Sequence, residues 1–319
     1  VHPNPVEDDV EQAGARFRKD GCDGVIGLGG GSALDVAKAV AVRVTHDGPL
    51  SRYEAQTGGY KLITGPVPPV IAIPTTAGTG SEVGRSAVIT IPALGRKIVI
   101  FSPLLMPKRA IEDPELTVSL PPLLTASTGM DAFTHNLESL TCPVFHPICD
   151  AVALGGLELV IKYLERAVKN GLDLEARGNM MIAASMGAMA FQKDLGAAHS
   201  LAHPLSAEYG MQHGMANAVC LPAVMRFNRE AAAKEYARVA ALFGVNTHGM
   251  ADIDAADRAI EAVIGLNQRI GIPARLRDCG IPEEGLEKLA DKALEDSCHL
   301  TNPRPCTRED LLRLYRESW

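Results

Sequence analysis

The rhythm of apolar and polar positions changes once along this chain, near position 121. Before it, short runs rich in valine and isoleucine are bounded by glycine and proline: GVIGL at 24–28, VIAIP at 70–74, SAVITI at 86–91 and KIVIF at 97–101. Runs of this length and composition predict buried strands. The stretch from Ser32 to Val44 has helical spacing and follows the first run through a glycine turn. Strand, glycine turn, helix and strand again predicts a parallel α/β sheet.

Beyond 121 the periods are long and helical, over 122–140, 147–169, 174–192, 213–228, 229–243, 252–269, 283–296 and 307–318. The adjacent prolines Pro121 and Pro122 mark the join, because proline ends elements and favours the first turn of a helix. The pattern therefore predicts an α/β domain over 1–121 and an all-helical domain over 122–319. A ligand is expected in the cleft between them. A chain of 319 residues is long enough to need two cores, which agrees.

Composition narrows the function classes. Hydrophobic residues at 46% and charged residues at 22% suit a soluble globular enzyme. A formal net charge of −7 with no basic stripe argues against nucleic acid. No apolar stretch reaches the ~20 residues that span a bilayer; the longest, AVALGGLELVIKYL, is broken by glycine and then by charge. Seven cysteines with no CxxC spacing predict free thiols in a reducing compartment, and hence a cytoplasmic protein. The opening VHPNPVEDD reads as a connection entering a helix, so the expectation is that an amino-terminal segment is absent.

Candidate chemistry concentrates in five residues. Asp131 and His135 lie four apart in TGMDAFTHNLE, His199 and His203 lie four apart in GAAHSLAHPLSAEYG, and His213 follows in MQHGMANAV. A helix puts positions i and i+4 on one face, so each pair can point into one cavity. Four imidazoles and a carboxylate form a metal-binding inventory, one histidine more than a tetrahedral site needs. Carboxylate plus imidazole suits Fe(II), Zn(II), Co(II) or Mn(II).

Two loops in the first half suit a nucleotide. GVIGLGGGSALDVAK runs from strand to helix, and Gly29, Gly30 and Gly31 let the backbone approach a ligand before Ser32 opens the helix. The helix terminus favours phosphate, although GGGS also makes a plain turn. Asp35 is read as bracing the first turn. IPTTAGTGSEV at 73–83 follows a strand and offers hydroxyls and amides to a ribose or pyrophosphate. Its bland reading is a surface loop capped by Ser81 and Glu82.

GGGSALDVAK, IPTTAGTGSEV, DPELTVSLPP, TGMDAFTHNLE, FQKDLGAAHSLAHPL and HGMANAVCLP together resemble the signature segments of the group III, or iron-containing, alcohol dehydrogenases, in family order. The resemblance runs from about Asn4 to near the carboxyl terminus. It implies a Rossmann-like NAD(P) domain followed by an all-helical metal domain, the architecture shared with dehydroquinate synthase. It also implies Fe(2+), with Zn(2+) second, and a homodimer or larger homo-oligomer. Carried over by position, Asp131, His135, His199 and His213 would hold the metal, and His203 would stand near nicotinamide and substrate as a proton relay. Gly30, Gly31 and Ser32 would hold the pyrophosphate, Thr75, Thr76 and Thr79 would line the nucleotide, and Lys97 would reach the nicotinamide-side ribose. Phe191 would wall the substrate pocket; His146 is expected at its border from its own position, in a proline-flanked loop after the helix of Asp131 and His135.

Two departures stand out. Family members begin with another β-α-β unit of about 30 residues, which this chain is expected to lack. The acidic residue that reads the adenine ribose lies there, so the expected cofactor is NAD or NADP. Asp194 stands where related FQKGLG segments carry glycine. The activity implied is interconversion of a small primary or secondary alcohol with its aldehyde or ketone. The alternatives are an NAD- and metal-dependent lyase like dehydroquinate synthase, whose substrate calls for more basic groups than these motifs offer, and a nucleotide-binding protein without catalysis.

Overall fold

The computed structural model describes residues 1–319 and divides them into two units, Val1–Thr117 and Val118–Trp319, a little ahead of the proline pair. In the first unit helix α1 (Glu7–Asp20) is followed by strand β1 (Val25–Gly29), helix α2 (Gly31–Arg43) and strands β2 (Val70–Pro74), β3 (Ser86–Ile91), β4 (Arg96–Phe101) and β5 (Arg109–Ala110). β1, β2 and β5 form a parallel sheet in that order, with Val25 opposite Val70 and Ile71 opposite Arg109. The short β5 lies outside the expected set because its two exposed residues carry no apolar signal.

The expected parallel α/β sheet is the one formed by β1, β2 and β5, and β3 and β4 stand apart from it as a hairpin. β3 and β4 pair with each other, antiparallel, from Ser86 opposite Phe101 to Ile91 opposite Arg96. Only the turn Pro92–Gly95 separates them, whereas a parallel return needs a crossover of about a dozen residues or more.

Helix α2 is largely apolar and is buried from Leu34 to Val42, apart from the half-buried Asp35. Val36 and Val40 pack in one core with Ile89 and Ile91 of β3 and Ile98 and Ile100 of β4. Ala37 and Ala41 pack with Val70 of β2. Lys38, within this run, is fully buried, and its Nζ donates to Ser81 Oγ at 2.7 Å and to the Ser86 carbonyl at 2.9 Å. These bonds meet the cost of burying an ammonium and fasten α2 to the loop after β2.

The second unit is all-helical. It comprises α3 (Pro122–Thr141), α4 (Pro147–Lys169), α5 (Leu174–Ala190), α6 (Ala197–Tyr209), α7 (His213–Asn228), α8 (Ala233–Leu242), α9 (Asp252–Arg269), α10 (Leu286–Glu295) and α11 (Arg308–Ser318). Every residue of α3 from Gly129 to Thr141 is buried, with α4, α5 and α7 packed around it. A buried helix containing Asp131, His135, Asn136 and Glu138 must satisfy polar groups internally, and that requirement marks the site. α6 is missing from the long helical periods because Pro204 interrupts its pattern. α8 and α10 begin a few residues later than expected, the latter after a 3-10 turn at Glu283–Gly285. No helix is long and apolar enough to cross a membrane.

Candidate metal centre and nucleotide loop

Three helices supply the metal candidates. α3 presents Asp131 and His135 one turn apart, α6 presents His199, and α7 begins at His213. The Nε2 atoms of His135, His199 and His213 lie 3.9, 3.8 and 3.4 Å from Asp131 Oδ1. Gly214 makes this approach possible. A Cβ there would overlap the Ser127 carbonyl and come within 3.0 Å of Asp131 Cβ, so only glycine lets the first turn of α7 lie directly on α3.

The electrostatics suit a cation. Burial pushes the Asp131 carboxyl up, but the imidazoles of His135, His213 and His199 and the Asn217 amide outweigh it and hold the group below its ordinary value. Burial, with the neighbouring imidazoles, pushes His199 and His213 well below the usual histidine value, so both rings are neutral near neutral pH. A carboxylate oxygen with three imidazole nitrogens within 4 Å of it is the donor set that a divalent transition metal takes. The residues present fit such an ion.

Three polar partners escaped the sequence reading. Glu138, one turn beyond His135 on α3, accepts from His199 Nδ1 at 2.6 Å and from the Ala198 N–H at 2.7 Å. This bond leaves the lone pair of His199 on Nε2, toward Asp131. Burial pushes the Glu138 carboxyl up to about 7, against the lowering effect of the Ala198 and Gly196 N–H groups. Asp296 stands 2.7 Å from His203 Nδ1 and also accepts from Ser200 Oγ and the Cys298 N–H, each at 2.9 Å. Asn217 brings Nδ2 to 2.9 Å from Asp131 Oδ1. Glu138 and Asn217 had a legible signal, because Glu138 continues the Asp131–His135 face and Asn217 lies four residues after His213. Asp296 had none, since 93 residues separate it from His203.

His203 belongs to the cluster but is placed differently from the four metal candidates. Its ring stacks on His213 at 5.2 Å between centroids, its Nδ1 faces Asp296, and its side chain is 38% exposed, against 29% for His213 and 1% for His199. Phe191 packs on His135, with ring centroids 5.1 Å apart. His146 is exposed at the start of α4, where its Nδ1 accepts the Cys149 N–H at 3.2 Å, so its visible work is to cap that helix.

In the first unit the two glycine- and threonine-rich loops pack on each other. Thr75 N–H donates to the Gly29 carbonyl at 2.9 Å. A Cβ on Gly31 would lie 2.7 Å from Thr79 Cγ2, and one on Gly30 would lie 3.3 Å from Thr76 Cγ2. No side chain caps α2 at Gly30, and the free N–H groups of a helix's first turn are the kind of donors a phosphate takes. The Ser32 hydroxyl is turned to the Pro3 carbonyl at 2.6 Å. Asp35 accepts from Ser81 Oγ at 2.6 Å and from the Val88 N–H at 3.0 Å, so its bonds tie α2 to the second loop and to β3 and do not brace the helix's own first turn as expected. Lys97 Nζ donates to Asn4 Oδ1 at 2.9 Å, and burial lowers its ammonium despite the Asp35 carboxylate.

Known proteins match this chain along almost all of its length. Residues 1–114 match the family described as iron-containing alcohol dehydrogenase, and residues 125–319 match the carboxyl-terminal part of the Fe-containing alcohol dehydrogenase family. A 4-hydroxybutyrate dehydrogenase of Cupriavidus necator is 45% identical over 99% of this chain and 82% of its own length. An NAD-dependent methanol dehydrogenase of Bacillus methanolicus is 38% identical over 100% of this chain and 83% of its own. The crystal structure of a 1,3-propanediol oxidoreductase superposes with a TM-score of 0.96 at 39% identity, covering 100% of this chain and 83% of that one. Relatives that interconvert alcohols and aldehydes, on this fold, leave the lyase and the non-catalytic binder without support. The chain belongs to the iron-containing alcohol dehydrogenases and is an oxidoreductase acting between alcohol and aldehyde or ketone.

Proposed function

We propose that Asp131, His135, His199 and His213 hold Fe(2+), or Zn(2+) in its place, and that the loops around Gly30, Gly31, Ser32, Thr75, Thr76 and Thr79, with Lys97, hold NAD. The single observation that carries the reading is the set of three imidazole Nε2 atoms within 4 Å of Asp131 Oδ1. When bound, the ion supplies Lewis acidity toward a substrate oxygen and the nicotinamide exchanges a hydride with the substrate carbon.

The protein's own groups do the rest. Glu138 fixes the ring of His199 through Nδ1, and Asp296 does the same for His203. With Nδ1 committed to Asp296, His203 has Nε2 for a proton, and its partial exposure gives that proton a way to solvent. His203 is thus the residue that takes the alcohol proton in oxidation and returns it in reduction. Phe191, against His135, walls the substrate side. The proposed substrate is a short primary or secondary alcohol, or its aldehyde or ketone. The similarity to a 4-hydroxybutyrate dehydrogenase and to a methanol dehydrogenase supports that size class.

The test is NAD(P)H oxidation over a panel of short aldehydes, with metal analysis of the same sample. H203A is expected to lower turnover and retain its metal. Loss of the ion in that variant would make His203 a ligand, and no turnover with any aldehyde in iron-loaded protein would remove the whole reading. A cytoplasmic setting accords with seven unpaired cysteines. A homodimer or larger homo-oligomer, as the family resemblance implies, is open to light scattering.

A further inference from the structure

Asn217 is wholly buried on α7, and its side-chain amide lies inside the cluster rather than beside it. Nδ2 is 2.9 Å from Asp131 Oδ1 and 3.3 Å from Nε2 of both His199 and His213, while Oδ1 has no hydrogen-bond partner. An amide that leaves a buried oxygen unpartnered in order to aim its N–H groups at acceptors is oriented by those acceptors. Of the three, the carboxylate is the charged and nearest one, and a charge-assisted bond is the strongest available to the amide. His213 and Asn217 are also four residues apart on one helix, so the backbone that sets the ring sets the amide.

We infer that Asn217 is a positioning residue that holds the Asp131 carboxylate in its ligating orientation through a bond donated by Nδ2. The inference rests on the metal cage proposed above. His199 and His203 have carboxylate partners in Glu138 and Asp296, and Asn217 fills the corresponding place for the one acidic member of the cage. The bonds to His199 and His213 are the ones a cation takes over. The bond to Asp131 is the one the amide keeps.

Co(II) added to chelator-stripped full-length protein tests this without turnover, since visible absorption reports the ligand field and titration reports affinity. N217A is expected to weaken Co(II) binding about 10–100-fold, as loss of a partner behind a ligand does, and to change the absorption bands. N217S, which retains a hydroxyl donor, should recover part of both. Asn267 supplies the control for simple loss of a buried amide. Its Nδ2 donates to the Ala218 carbonyl at 2.8 Å and its Oδ1 is also unpartnered. N267A should leave Co(II) affinity and spectrum as in wild type. Wild-type-like affinity and bands in N217A, or in the donor-free N217L if N217A does not fold, overturn the inference while leaving the cage intact. If the wild-type protein takes up no Co(II), the cage itself fails and the role of Asn217 goes with it.

Discussion

Replacing Asp194 with glycine should make the protein more stable, although it deletes a side chain. Asp194 is the sole non-glycine residue at positive φ, with φ 84° and ψ −178°, between the 3-10 turn Phe191–Lys193 and the glycine that precedes α6. That region is essentially reserved for glycine, and holding another residue there costs about 1–3 kcal/mol. Glycine also loosens the unfolded chain, at about 0.5–1 kcal/mol. The one backbone bond at this position, Asp194 N–H to the Phe191 carbonyl at 2.9 Å, survives the change. The carboxyl is pushed up by burial, so its removal also relieves a group that folding partly desolvates. The net gain is about 0.5–2 kcal/mol, a factor of roughly 2–30 in the folding equilibrium. Trp319 is the single tryptophan, and its indole donates to the Ile281 carbonyl at 2.8 Å within the helical unit, so its fluorescence follows unfolding of the unit that contains Asp194. A unit of this size should gain about 2–4 °C in Tm per kcal/mol. D194A keeps the Cβ and therefore the strain, so the difference between D194G and D194A isolates the backbone contribution. If D194G unfolds at or below the midpoint of D194A, the strain argument is wrong.

Three further outcomes follow from single contacts. G31A places a methyl 2.7 Å from Thr79 Cγ2, so the loop must open, and NADH binding followed by its fluorescence should weaken about tenfold or more, equivalent to about 1.4 kcal/mol; G31A with T79S should recover part of it, and unchanged binding in G31A would remove this loop from the nucleotide site. E138Q takes the charge from the acceptor of His199 Nδ1, 2.6 Å away, and should weaken metal retention about 10–100-fold against a competing chelator; no change would mean that the tautomer of His199 is set by something else. T307A removes the hydroxyl that caps α11 by accepting the Asp310 N–H at 3.1 Å and should cost about 0.5–2 kcal/mol in the Trp319 transition. Burial raises the Asp310 carboxyl, but the backbone N–H and hydroxyl of Thr307 more than offset it and leave the group lowered from 3.8. Its contribution is therefore present above the ordinary carboxylate value and lost as pH falls through the folded one, so the gap between wild type and T307A should narrow in acid to the part that the Asp310 N–H bond to the hydroxyl contributes.

Much of this protein was legible before any coordinates. Valine- and isoleucine-rich runs marked four strands, and helical periodicity marked most of the helical half, because period is a local property of the chain. The i, i+4 spacing of Asp131 and His135 announced a shared face because a helix makes that geometry unavoidable. What the local pattern could not carry was pairing between elements. Nothing in SAVITI or KIVIF says whether a strand joins a parallel sheet or turns back on its neighbour; the short turn and packing against α2 decided that. Asp296 likewise reached His203 only through tertiary packing, as did the close seating of α7 on α3 at Gly214. Sequence alone paired Asp131 with His135 and His199 with His203, since i, i+4 spacing on a helix puts two side chains on one face. Only the tertiary structure decided which groups hold those side chains in place, because a hydrogen-bond partner is selected by distance in space and not by distance along the chain.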